Sequence, residues 1–343
     1  MQARDLVAPA VAFVVIVAVV VGGAAVMPLL TGGDTPEVTN LAERQTDLDA
    51  VRVDPAEESG EISMDSDASG KTILVDRAHG NQLSEEKLST LTATLVENGH
   101  EVRFVTQEQA RGGAWNQSLR NADALLVANP GQPYTPEQLA GVRAFNEAGG
   151  RVVLLSDPAS SSGASAVTSL LGLSIQQPAS GGPGLSSTLG VAGHSGYLFN
   201  MHEYQHNFES VYATSGSGSL SQGVDRVVFH DARAVTTARG QTALSAIEQT
   251  RLSTTRRADT YAVAAQSGDT AIVGDTDFLA PTNAYTADNE AFVGNLADFL
   301  VSGQKTGNAP APPSPEQGGS APPRPAPTPS SSIRRPSECG RVG

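Results

Sequence analysis

The chain has 343 residues, 36 acidic against 22 basic side chains, a formal charge of −14, and one cysteine. A body this acidic is unsuited to nucleic acid or to an anionic lipid surface, so no nucleic-acid partner is expected. The lone Cys339, four residues from the end, excludes an intramolecular disulfide and a cysteine-built metal cage.

Residues 1–5 are a short polar stub. From Leu6 to Leu30 the sequence is almost purely apolar, long enough to cross a hydrocarbon core of about 30 Å as a helix. It reads as an uncleaved, single-pass transmembrane anchor; the rival is a signal peptide cut near Ala24-Ala25. Arg4 ahead of the span and acids behind it place the folded body outside the cell, because positive flanks stay cytoplasmic. Residues 31–70 hold eleven acids and two bases, show no apolar periodicity, and read as a disordered, self-repelling spacer.

A folded body over residues 71–303 then alternates strand and helix signals. Lys71–Asp76 is an apolar run ending in a polar turn, Asp76-Arg77-Ala78-His79-Gly80-Asn81. Ser84 caps a helix that carries Leu88, Leu91, Leu95 and Val96 and stops at Asn98-Gly99. Strands follow at Val102–Val105, Ala124–Ala128 and Arg151–Leu155, with a helix opened by Thr135-Pro136-Glu137 and closed by Gly149-Gly150. A short helix near Val167–Leu171 precedes a Gly181–Gly184 loop. Short strands are expected at Val211–Ala213, Arg226–Phe229 and Ala234–Thr237, and a hairpin turns at Gly268-Asp269. Asn289–Val301 closes the body as a helix with Phe292, Leu296, Phe299 and Leu300 at helical spacing. Residues 304–343 are a Pro-rich tail, predicted disordered and extended, with a mildly basic end. The rhythm predicts an α/β fold with a mostly parallel sheet covered by helices on both faces.

"ILVDRAHGN" at residues 73–81 and "IVGDTDFLAPTNAYTADNEAFVGNLADFL" at residues 272–300 resemble the haloarchaeal domain-of-unknown-function family 4350. More distantly they are similar to the glutamine-amidotransferase-like domains of gliding-motility auxiliary and intraflagellar-transport proteins. The resemblance implies a flavodoxin-like, class I amidotransferase-like domain in a membrane-tethered accessory protein without catalysis. It also implies an assembly partner in a membrane complex, in the company of a MoxR-type ATPase. The scarcity of lysine, confined to Lys71, Lys87 and Lys305, suits proteins of salt-loving archaea.

Amidotransferase chemistry needs a cysteine at a strand-to-helix elbow, and the body has none, so thiol-based glutamine hydrolysis is excluded. Ser156 lacks the glycines of a serine elbow and is followed by Pro158. His202-Glu203-Tyr204-Gln205-His206 spells H-E-x-x-H, in which His202 and His206 would hold zinc and Glu203 would act as base if the segment were helical. It lies instead between Gly196 and a strand, bracketed by Asn200 and Asn207, with no convincing third ligand. The remaining candidates sit at strand ends: Asp76, His79, Asn81, Asn129, Asp157, Asp275 and Asp277. In a parallel sheet these share one rim, where ligands bind in α/β folds. They form either a pocket for a polar ligand or cation, or a set of helix caps and turn closures. No cofactor is expected. The favoured function is a non-catalytic binding or assembly module accessory to a membrane complex. The rivals are a metal-dependent hydrolase and a substrate-binding accessory of a transporter.

Overall fold

The computed structural model describes residues 60–81, 83–158 and 184–311. The expected membrane span, the helix near Val167–Leu171 and most of the Pro-rich tail lie outside them. Among the described residues no helix is long and apolar enough to cross a membrane.

The first half is a run of strand–helix units: β1 (Thr72–Asp76), α1 (Glu85–Glu97), β2 (Glu101–Val105), α2 (Ala114–Arg120), β3 (Ala124–Ala128), α3 (Pro136–Glu147) and β4 (Arg151–Leu155). The second half is mostly strands: α4 (Leu185–Leu189), β5 (Val191–Gly193), β6 (Leu198–Phe199), β7 (Ser210–Ser215), β8 (Arg226–His230), β9 (Val235–Thr237), β10 (Gln241–Ala246), β11 (Arg251–Leu252), β12 (Ala262–Ser267) and β13 (Thr270–Val273). The long helix α5 (Asn289–Val301) follows. Nine strands make one sheet in the order β2-β1-β3-β4-β13-β12-β10-β7-β8. It is parallel from β2 through β13 and antiparallel beyond. The expected hairpin is the hinge between the two halves: β12 turns at Gly268, at φ 58°, into β13, which pairs in parallel with β4.

Alternation along the parallel strands makes two cores. Ile73, Val75, Leu126, Val153 and Leu155 face α1 and α5, while Leu74, Leu125, Val127, Val152 and Leu154 face α2, α3 and α4. Helices therefore cover both faces. On α1 the buried stripe is Leu88, Leu91, Thr94 and Leu95; Val96, expected on the same side, points outward because it is one residue round from Leu95.

The end of the acidic stretch belongs to the fold. Residues 61–68 alternate exposed and half-buried, with Ile62, Met64 and Ala68 against the core, a period-two pattern hidden among acids. The Asp298 carboxylate on α5 accepts the N–H groups of Asp65 and Ser66 at 2.8 and 3.0 Å. The strap passes so close to α5 that a β-carbon on Gly294 would lie 2.3 Å from the Ser63 carbonyl oxygen. This cover explains why α5 is buried almost all round instead of along one stripe.

The outer edge of β8 is closed by side chains. The Asp288 carboxylate accepts the N–H groups of Asp225 and Arg226, and its own N–H donates to the Arg226 carbonyl. Asn289 imitates a further strand: its Oδ1 accepts the Val228 N–H at 2.9 Å and its Nδ2 donates to the Val228 carbonyl at 3.1 Å. Asp288, the residue ahead of α5, thus serves the sheet edge, where unpaired backbone invites aggregation. Asn289→Ala strands both Val228 groups in a buried site. It is expected to lower the unfolding free energy by about 2–4 kcal/mol, measured by urea denaturation.

Candidate functional site

The turn after β1 is drawn closed by its own acid. Asp76 Oδ1 accepts the Ala78 N–H at 2.8 Å, an Asx turn, and Gly80 supplies a left-handed residue at φ 65°. The turn returns His79 to the strand end, with Nδ1 2.8 Å from Asp76 Oδ2, the oxygen to which the Tyr134 hydroxyl also donates. Burial, with the Asp76 carboxylate beside it, holds the Tyr134 phenol well above its usual range, so the hydroxyl keeps its proton and remains a donor. The Tyr134 ring stacks on the imidazole at 3.6 Å, and Trp115 stands edge-on to both.

The other imidazole nitrogen faces Gln138 Oε1 at 3.2 Å. That amide is fixed by its surroundings: Oε1 also accepts the Thr135 N–H in the capping box of α3, and Nε2 donates to the Ala110 carbonyl. The Gln138 amide oxygen can only accept, so the bond between it and His79 is donated by Nε2. Only the edge of His79 reaches an open cleft of about 800 Å³, walled by Gln107, Arg111, Gln132, Thr135 and Glu137. Asn81 ties this turn to the next strand, its Nδ2 donating to the Ala128 carbonyl at 2.9 Å.

The other candidates form a second group. Asn129, at φ 44°, is in the left-handed region that Asn tolerates. It grips Asp157, accepting its N–H at 2.7 Å and donating to its carboxylate at 2.5 Å, while the Thr276 hydroxyl donates to the same oxygen. Asp275 Oδ1 accepts the Asp277 N–H and Oδ2 the His230 N–H, locking the end of β13 to the end of β8. Burial pushes the Asp275 carboxyl well above its usual range. Asp277 forms an ion pair with Lys87 of α1. Above β4 the buried Arg233 guanidinium donates to Ser156 Oγ, the Asp157 carbonyl and, twice, the His194 carbonyl.

The rim is thus divided. β3 and β4 separate β1 from β13, three strand spacings or about 14 Å, and the His79 and Asp275 bonds run to different partners. Arg77, in the turn after β1, pairs with Glu85. Sequence reasoning missed that Trp115 and Tyr134 both pack on His79. It also missed Gln138 and Arg233. The signals were the Thr135–Gln138 capping spacing and an arginine set inside the apolar run Ala232–Val235.

His202-Glu203-Tyr204-Gln205-His206 is a series of bends, so the two imidazoles share no helical face. The Asn200 side chain accepts the N–H groups of His202 and Glu203, Glu203 pairs with Arg226 at 2.8 Å, and His206 stacks on His230 at 6.4 Å. Among the described residues no three His, Cys, Asp or Glu side chains are grouped to hold a metal ion.

With this geometry in hand, the comparisons place the chain by fold. No family model and no curated protein matches the sequence. Among solved structures it is similar to the mmIFT52 N-terminal domain, at 12% identity and a TM-score of 0.51, over 68% of this chain and 99% of that one. A thua-like protein from Parabacteroides merdae is 13% identical over 71% of this chain and 94% of its own, with a TM-score of 0.41. What the first likeness defines is a class, the α/β domain with a large sheet. The particular relationship is one of fold to an intraflagellar-transport domain.

Burial pushes the Asp157 carboxyl up, and the bonds from Thr276 and Asn129 only partly offset it. The folded chain therefore binds this proton more tightly than the unfolded one, and the stability it contributes falls as pH rises above the ordinary carboxylate value. Asp157→Asn keeps an oxygen to accept from Thr276 and removes the titration. Between about pH 4 and pH 7 the variant is expected to gain steadily on the wild type in unfolding free energy, measured by urea denaturation at each pH.

Proposed function

We propose that the chain is a membrane-anchored, non-catalytic binding or assembly module, accessory to a membrane complex. Its domain is read as a degenerate, flavodoxin-like member of the amidotransferase-like class, with the haloarchaeal 4350 family as the finer relationship. One observation carries this reading: the polar groups of the strand-end rim serve one another. The Asp76 carboxylate receives Ala78, His79 and Tyr134, Asp275 receives two backbone N–H groups, and Arg233 fills the space above β4. A working nucleophile and base must be free to meet a substrate. Here His79 is held between Asp76 and Gln138, Ser156 Oγ accepts from Arg233, and the only cysteine is Cys339 in the tail.

The anchor at residues 6–30 would hold the domain to the membrane, on its outer side, where a partner in a complex linked to a MoxR-type ATPase would meet it. The full-length protein, crosslinked in native membranes and purified in mild detergent, is expected to carry one partner set at a fixed ratio. Metal analysis of the same preparation is expected to give far less than one zinc per chain. Stoichiometric zinc that disappears with His202→Ala would establish the hydrolase instead, and a partner-free monomer would remove the assembly role.

A further inference from the structure

The loop that spells H-E-x-x-H has another property. Three of the four large apolar side chains that stand most exposed on the described surface lie in it: Met201 at 62%, Tyr204 at 44% and Phe208 at 40%. They adjoin a row of rings, Tyr197 to Phe199 at 6.3 Å and Phe199 to Phe208 at 6.4 Å. At the Tyr197 end lie two carboxylates, Glu209 and Asp231, which raise the Tyr197 phenol after burial has done so. Among the described residues neither carboxylate has a basic partner within ion-pair distance. Burial and then Glu209 push the Asp231 carboxyl up, as expected of acids facing each other without a cation. A row of two half-buried rings and the exposed Phe208, ending in uncompensated acids, fits a ligand that alternates flat apolar surface with a positive charge.

The chain carries such a segment. Ala321-Pro322-Pro323-Arg324-Pro325-Ala326-Pro327 sets Arg324 between Pro322 and Pro325. In a polyproline helix those prolines fall one turn, about 9 Å, apart on one side, the spacing with which such helices dock on aromatic rows. Their low conformational freedom reduces the ordering cost of binding.

The straight-line separation is shorter than the extended tail. The described chain leaves the domain at Ala311, beside Pro310, whose carbonyl accepts from Arg120 at the end of α2. That point is near the start of β3, whereas Ser210, after the loop, pairs with His230 at the far end of the sheet. Six strand spacings across and one strand length along give a diagonal of about 34 Å. Thirteen residues from Ala311 to Arg324 span up to about 43 Å.

We propose that the Pro-Arg segment Ala321–Pro327 docks on the Tyr197–Phe199–Phe208 row of its own chain, with Arg324 against Glu209 and Asp231. The tail is then an internal ligand that covers the loop and must leave before another Pro-Arg segment can bind there.

The test uses the full-length chain with Thr328→Cys, Cys339→Ser and a benzophenone maleimide on the new thiol. After irradiation, crosslinks are expected to concentrate in residues 197–209, with a yield unchanged on dilution. Arg324→Glu is expected to lower that yield about three- to fivefold, the size of an exposed charge pair, and Glu209→Arg in the same chain to restore it. Phe208→Ala, at an exposed position, is expected to lower it without changing the circular dichroism. Crosslinks scattered over the surface, or unaffected by Arg324→Glu, would overturn the docking. A yield that falls on dilution would overturn the intrachain form and place a second copy's tail on the loop.

Discussion

A carboxylate buried at the end of a parallel strand loses its water, and the protein must replace each lost donor or accept a raised pKa. The domain is organised around that constraint. Asp76 meets it with a turn N–H, an imidazole and a phenol, and in doing so fixes the β1 turn, the start of α3 and the position of Trp115. Asp275 meets it with two backbone donors and joins the parallel half of the sheet to its last antiparallel strand. Asp157 meets it through Asn129 and Thr276, so three strand ends are tied by one side chain. Remove these acids and the loops above the sheet lose what positions them.

The two halves of the sheet are built by different means. The parallel half is sandwiched, with each strand feeding apolar side chains to both cores, and its inner strands carry no polar residue between their ends, whereas the edge strand β2 carries Arg103. The antiparallel half has one helix, α5, and an open edge, so it relies on polar closures: Asp288 and Asn289 along β8, and Arg233 under β5 and β9. Gly274 records the tightness of that last contact, since a β-carbon there would lie 2.0 Å from the Arg233 carbonyl oxygen.

What the sequence revealed divides along the same line. Continuous apolar runs bounded by Asn-Gly, Gly-Gly and Thr-Pro placed β1, β3, β4, α1 and α3 within a residue or two, because local propensity and tertiary burial agree there, whereas α2 was not foreseen. The strand-end acids were legible as a group, but their division was not, since strand order decides which ends are neighbours. Tyr134 and Gln138 lie more than fifty residues from the acid and imidazole they serve, and no local pattern announces such contacts. Ile62, Met64 and Ala68 were hidden for a different reason. Their alternation is with aspartate and glutamate, a composition that by itself reads as unfolded chain.

That strap also decides how the domain takes a load. Any pull on the chain ahead of Gly60 passes through residues 61–68, which among the described residues are tied to α5 by the bonds from Asp65 and Ser66 to one carboxylate. Because Asp298 sits near the end of a helix whose Phe292, Leu296 and Phe299 fill the core, force is delivered to a deeply packed helix and not to a loop. The strap therefore couples tension in the preceding chain to α5 through two hydrogen bonds on one side chain.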